Sequence, residues 1–264
     1  MNFFRAGKYK FELKKKTYVM GILNVTPDSF SDGGKFIDPE KAINRAFQIQ
    51  DEGADIIDIG AQSTRPGYKK ISSKEEWSRL KPVLEAVCGK LDIPISVDTF
   101  YPEIAEKSLK YSVDIINDVS GFNEEMLAVV KASNCGCIIM HDKPGVDSIK
   151  PFFESKFELF SSCGIKNDRI CFDPGIGFSK SYEENLYIIK NLKDIKINNI
   201  ATLIGLSKKR VIGMSCGSTD MLDRVYGTIA ANTMSVVSGA DIIRVHDVKG
   251  SVLAAKVTDA ILRS

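Results

Sequence analysis

Three charged or amide residues stand inside apolar runs, where a polar side chain costs free energy unless it is paired or used. They are Asp98 in "PISVDT", Asn117 in "DIINDVS" and Arg244 in "DIIRVHD". Asn24, Asp173, Lys209 and His246 close similar runs, and Thr64-Arg65-Pro66 follows another. Asp173, Asp98 and Asn117 supply acceptors and an amide, which suits a flat heterocycle rich in N–H groups, a pterin or a purine. Arg65, Arg244, His246 and Lys209 supply cationic donors, which suit phosphate or another anion. Phe30 and Phe178 offer aromatic walls beside these polar groups. His141 is a lone histidine behind an apolar run, a pattern more often structural than catalytic.

These residues need a scaffold that brings many strand ends to one place. "EGADIIDIG", "SVDIINDVSG" and "SGADIIRVHD" repeat one unit: an Asp, a β-branched run, then polar groups. Similar runs at Tyr18–Leu23, Ile93–Val97, Cys137–Met140, Arg169–Phe172 and Thr202–Leu206 bring the total to about eight strands buried on both faces. Between them lie helical periodicities over Pro39–Gln50, from Ser72 or Ser73 to Val87, Glu103–Leu109, Glu124–Ala132, Phe152–Ser161, Tyr182–Asn191, Leu222–Val237 and Val252–Leu262. Strict alternation at this length predicts a (β/α)8 barrel, a TIM barrel, with the site at the carboxyl ends of the strands. A doubly wound open sheet is the alternative, but no G-x-G-x-x-G turn follows the first strand. Without linkers or low-complexity segments, residues 1–264 read as one domain, with residues 1–16 expected to form an N-terminal hairpin closing the barrel bottom.

Bulk composition narrows the function classes. Lys plus Arg number 36 against 34 acidic residues, and a net charge of +2 gives no basic surface for nucleic acid. No apolar run approaches the ~18 residues of a membrane span, and the first residues lack the apolar core of a signal peptide. The six cysteines include no C-x-x-C pair and read as reduced thiols of a cytoplasmic protein. Two histidines exclude a His-rich metal site.

Seven segments carry a resemblance. "GILNVTPDSFSDGGKF", "DIGAQSTRPG", "SVDT", "INDVSG", "FDPGIGF", "IGLSKKRVIG" and "IIRVHDV" resemble, in order, the motifs of the dihydropteroate synthase family from about Val19 onward. The resemblance implies a pterin-binding (β/α)8 barrel of folate synthesis. Such an enzyme joins 6-hydroxymethyl-7,8-dihydropterin pyrophosphate to p-aminobenzoate and releases pyrophosphate. It further implies Mg2+, a homodimer and inhibition by sulfonamides. By position, Asp98, Asn117, Asp173 and Lys209 resemble the pterin pocket. Asn24, Arg244 and His246 resemble the pyrophosphate and magnesium site, with Asn24 facing the metal and Thr64 and Arg65 in a second loop beside it. Phe30, Pro66, Phe178 and Arg210 resemble the p-aminobenzoate side. Asp98, Lys209, Arg244 and Asn24 carry the catalytic expectation, a dissociative substitution with the loop after Asn24 closing over pyrophosphate. Three departures stand out: Gln62 where the family often has Glu, Arg210 where many members have Ser, and "DKPG" after His141. A corrinoid methyltransferase of the same pterin-binding group shares the Asp/Asn contacts but needs neither long loop.

Overall fold

The computed structural model describes residues 2–26, 39–63, 69–197, 199–218, 220 and 222–264. Eight parallel strands close into a barrel: β3 (Tyr18–Asn24), β4 (Ile56–Gly60), β5 (Ile95–Asp98), β6 (Ile115–Asp118), β7 (Gly136–Met140), β8 (Ile170–Asp173), β9 (Ala201–Ile204) and β10 (Ile242–Val245). Each pairs with its successor, and β10 pairs with β3 to complete the ring. The helices between them are α1 (Pro39–Asp51), α2 (Ser73–Val87), α3 (Pro102–Leu109), α4 (Glu124–Lys131), α5 (Ile149–Ser162), α6 (Tyr182–Lys190), the one-turn α7 (Leu192–Ile195), α8 (Arg210–Cys216), α9 (Asp223–Val237) and α10 (Val248–Leu262).

Local chemistry explains where these helices start. Ser72 Oγ accepts from Glu75 N at 3.2 Å, and Asn123 Oδ1 accepts from Met126 N at 2.8 Å. Ser181 and Glu184 form a reciprocal capping box, each side chain taking the other's backbone N–H. Pro39 and Pro102 open α1 and α3, where a missing N–H costs nothing.

Alternation along the strands divides the core in two. Val19, Ile57, Ile59, Val97, Ile116, Ile139, Phe172, Ile204 and Ile243 pack outward against the helices. Met20, Ile56, Ile115, Ile138, Cys171, Leu203 and Ile242 belong to a second cluster with Phe4, Ala6, Phe11 and Leu13. Those last four come from an antiparallel hairpin, β1 (Phe3–Ala6) and β2 (Tyr9–Glu12), which plugs the amino-terminal end of the barrel. Apart from the buried Ser96, the bottom layer of the interior is therefore apolar and closed. Two residues further along the same strands, the interior positions are Asp58 after Ile56, Asp98 after Ser96, Asn117 after Ile115, Asp173 after Cys171 and Arg244 after Ile242. Period two places a polar layer directly above the apolar one, toward the strands' carboxyl ends.

Observed boundaries differ from the sequence expectation by a residue or two at many element ends, and by more at some. β5 spans Ile95–Asp98 rather than starting at Ile93, α5 starts at Ile149 and α10 at Val248, each earlier than the periodicity suggested. α7 and α8 were not anticipated at all.

Candidate active site

The polar layer is organised around a guanidinium shared by two carboxylates. Arg244 Nε donates to Asp58 Oδ2 at 2.6 Å, and its Nη2 donates to Asp98 Oδ2 at 2.9 Å. Asn117 Nδ2 donates to the same Asp58 oxygen at 3.1 Å, so Asp58 orients both Arg244 and Asn117. Asp58 is fully buried, and its Oδ1 has no partner among the described residues. Two carboxylates against one cation leave an excess of negative charge. Burial pushes Asp98 up to about 7, against the pull of Arg244 and with the push of Asp58.

A second pair lies across the barrel mouth. Asp173 ends β8, is buried, and accepts from Gly175 N at 2.7 Å through Oδ1. Burial raises its pKa against the ammonium of Lys209 and the Gly175 N–H. Lys209 precedes α8, donates from Nζ to the Ile176 carbonyl, and lies 4.7 Å from the centre of the Phe178 ring. Burial lowers its pKa to about 8, opposed chiefly by Asp173. Phe178 is thus packed on the cation of the expected pterin group, a contact the sequence did not disclose.

The turn after β8 needs glycine twice. Gly177 has φ +78°, and a Cβ there would stand 2.9 Å from Lys209 Cδ. Gly175 has φ +71°, and a Cβ would stand 2.0 Å from the His141 carbonyl oxygen, which the backbone cannot withdraw. Gly175→Ala should therefore lower the melting temperature by roughly 5 °C or more. Gly89→Ala is the control, since Gly89 also has positive φ, +76°, with nothing within 4 Å of its Cβ position. Equal melting temperatures for the two variants would contradict the clash.

Asn24 ends β3 and is half-buried, next to β10 with Arg244. His246 follows β10; its N–H donates to Ser207 Oγ at 3.1 Å, and Ser207 Oγ lies 2.9 Å from its Nδ1. Arg210 is exposed at the first position of α8. Phe30, Thr64, Arg65 and Pro66 lie outside the described residues. His141 is fully buried, holds Ser148 Oγ through Nε2 at 3.1 Å, and is pushed down to about 4 by burial, with Lys180 and Lys143 adding to the effect. It stays neutral and holds the loop that follows β7.

Two residues at the mouth escaped the sequence reading. Asp58 was visible only as the second Asp of "DIIDIG", at an interior position that pairs with Ser96 on the next strand, while Asp98 pairs with Gly60. Lys180 donates to the carbonyls of His141 at 3.0 Å and Phe178 at 3.3 Å, and burial lowers its pKa to about 8. Its only signal was a lysine in the short turn "GFSKS". Among the described residues no group of three His, Cys, Asp or Glu side chains could hold a metal ion.

Comparison with known proteins places this architecture. The model of the family of pterin binding enzymes matches residues 20–246. The dihydropteroate synthase of Clostridium beijerinckii is 40% identical over 269 residues, covering 98% of this chain and 99% of its own. A Clostridium difficile dihydropteroate synthase crystallised in the presence of pteroic acid is 43% identical, with a TM-score of 0.91 over 96% of this chain and 100% of that one. The Yersinia pestis dihydropteroate synthase in complex with a sulfonamide drug is 32% identical, with a TM-score of 0.91 over 99% of this chain and 100% of that one. The chain therefore belongs to the pterin-binding enzyme family and, within it, to the dihydropteroate synthases.

Proposed function

We propose that this chain condenses 6-hydroxymethyl-7,8-dihydropterin pyrophosphate with p-aminobenzoate, giving 7,8-dihydropteroate and pyrophosphate, by a substitution in which departure precedes attack. The observation that carries this is the polar layer itself: Asp58, Asp98, Asn117 and Arg244 joined in one network, with Asp173 and Lys209 across the mouth. Asp173 accepts from the N–H groups of the pterin ring. Asn117, its Nδ2 committed to Asp58, presents its carbonyl oxygen as a further acceptor. Lys209 donates to a ring acceptor.

Arg244, His246 and Asn24, on the neighbouring strands β10 and β3, take the pyrophosphate end. Asn24 offers one neutral amide oxygen, which fits Mg2+, a cation that keeps several waters and takes most of its remaining ligands from substrate phosphates. Asn24 would hold the ion there, where it supplies positive charge against the leaving group. As pyrophosphate departs with the bonding pair, the pterin methylene becomes cationic, and the Asp98 carboxylate stabilises it. The arylamine nitrogen then attacks and loses a proton. Phe178 and Arg210 border the arylamine. No protein nucleophile takes part, and the rate comes from positioning and electrostatics.

Protonation sets a pH window. Asp98 acts as a carboxylate, so activity rises as pH climbs through about 7. Lys209 acts as an ammonium, so activity falls as pH climbs through about 8. The expected profile of kcat/KM is a narrow bell. Lys209→Arg should move the descending limb to higher pH and leave the ascending limb in place. A descending limb unchanged in that variant would remove Lys209 from the assignment.

The condensation itself is tested by supplying both substrates with Mg2+ and measuring dihydropteroate by mass. A sulfonamide is expected to compete with p-aminobenzoate for the same site. Absence of product from folded protein would overturn the reaction assigned. A cytoplasmic homodimer completes this proposal. Six free cysteines suit a reducing compartment. Tyr226, Met234 and Val237 on α9 and Leu253, Val257 and Ile261 on α10 form exposed apolar faces on two packed helices, which suit a second copy. Sedimentation at micromolar concentration should give a mass near twice 29.1 kDa, and a monomer would contradict it.

A further inference from the structure

The segment that follows β8, from Pro174 to Lys180, lies outside helix and strand, and local preference does not hold its shape. Gly175, Gly177 and Ser179 all have positive φ. Ser179, at +48°, carries a Cβ in a conformation that costs an L residue roughly 1 kcal/mol. Side chains fix the turn instead. Asn185, one turn into α6, accepts from Gly177 N through Oδ1 at 2.7 Å. Its Nδ2 donates to the carbonyls of Ser181 at 2.6 Å and Lys180 at 3.3 Å. The Lys180 ammonium reaches back to the Phe178 carbonyl and across to the carbonyl of His141, at the end of β7.

Asn185 is only 3% exposed, at a helix position where an apolar residue would cost less. Its three hydrogen bonds all go to the backbone of the turn and of its exit into α6, so the turn, not the core, accounts for the amide. The turn in its own right meets Lys209 twice. The Ile176 carbonyl accepts from Lys209 Nζ, and the Phe178 ring centre lies 4.7 Å from the same nitrogen. Ile176 and Phe178 flank Gly177, the residue whose N–H Asn185 holds. A shift at Gly177 therefore moves both contacts of the Lys209 ammonium together.

We propose that Asn185 and Lys180 are positioning residues for the reaction: acting through the turn after β8, they hold the Ile176 carbonyl and the Phe178 ring against Lys209 and so aim its ammonium into the pterin pocket. This rests on the reaction proposed above, which gives Lys209 to the pterin ring. Neither residue touches substrate. Asn185 fixes the centre of the turn on α6. Lys180 ties the end of the turn to β7, so that the ends of β7 and β8 keep one spacing.

The test uses Asn185→Leu, Lys180→Met and Lys180→Arg in the full chain, with its lysines isotope-labelled for NMR. The Phe178 ring displaces the Lys209 side-chain signal upfield. Lys209→Arg identifies that signal by removing it, and Phe178→Leu gives its position without the ring. In Asn185→Leu and in Lys180→Met the signal should move toward its position in Phe178→Leu. Dihydropterin affinity, measured by calorimetry, should fall about tenfold in each, the scale of one lost buried hydrogen bond. Lys180→Met removes donors from a partly buried residue only, so it answers the question even where Asn185→Leu fails to fold. Lys180→Arg keeps a cationic donor and should recover most of both readouts, a rescue that general structural damage would not give. A Lys209 signal at its wild-type position in either Asn185→Leu or Lys180→Met would overturn the proposal. So would a displaced signal with wild-type dihydropterin affinity, or no recovery in Lys180→Arg. The Lys209 signal reports on the turn even if the wild-type chain makes no dihydropteroate, so the two failures are distinguishable.

Discussion

Asp173→Ala should weaken dihydropterin binding about 100-fold, the loss expected when a charge-assisted hydrogen bond is removed from a buried ligand contact. Two effects add in the same direction. The ring N–H groups lose their acceptor and would be buried without one. Lys209 also loses the carboxylate that most strongly opposes the burial lowering its pKa to about 8, so its ammonium is less populated at neutral pH. Asp173→Asn is the informative companion, because it keeps an acceptor for Gly175 N and so preserves the turn. It should still bind dihydropterin poorly, through lost charge alone. Calorimetry with dihydropterin measures both, and unchanged affinity in either variant would take Asp173 out of the pocket.

Arg244→Ala should destabilise the fold and stop the reaction together. Removing the guanidinium leaves Asp58 and Asp98 facing each other without a counter-charge, and breaking a buried pair this way typically costs about 3 kcal/mol. The sign of its pH dependence follows from Asp98, which burial already holds up at about 7. Without the pull of Arg244, burial holds Asp98 further above its ordinary range, so its contribution is favourable at low pH and is lost as pH rises. The stability deficit against wild type should therefore grow from about pH 5 to pH 8. Adding Asp58→Asn removes one of the two stranded charges and should restore part of the stability, while turnover stays lost because the pyrophosphate contact is still missing. Denaturant melts at several pH values separate the two effects. A deficit that shrinks as pH rises would mean that the network does not carry the charges assigned to it.

The barrel was legible because its signals are local and repeated. Short β-branched runs mark strands buried on both faces, and turn residues separate them from amphipathic helices. Asp98, Asn117, Asp173 and Arg244 were legible because each breaks an apolar run at a strand's carboxyl end, where the fold gathers polar groups. Asp58 was hidden by the same rule. It stands in mid-strand, two residues before Gly60, and only the barrel's closure shows that Arg244, 186 residues away in sequence, comes to it. Glu76 was hidden by helix periodicity, since one buried carboxyl among Glu75, Arg79 and Lys81 reads as part of a solvated face. α8 was hidden by its length of seven residues, too short for an apolar repeat to emerge between Lys209 and Gly217. Phe178 was assigned to the arylamine side from its motif. Its ring also lies against Lys209, a contact that the motif did not disclose. Phe30, Thr64, Arg65 and Pro66 remain assignments from motif alone, outside the described residues.

Departure before attack is tested most directly by following pyrophosphate release from the pterin substrate with Mg2+, in the presence and absence of p-aminobenzoate. If the Asp98–Arg244 network stabilises separated charges, water can intercept the pterin cation. Pyrophosphate should then appear slowly without the arylamine, with hydroxymethyl dihydropterin as the other product. Adding p-aminobenzoate should raise the rate and divert the pterin into dihydropteroate, one molecule for each pyrophosphate released. Full turnover with the arylamine but no release at all without it, at enzyme concentrations equal to substrate, would contradict the account, because bond breaking would then require the attacking amine.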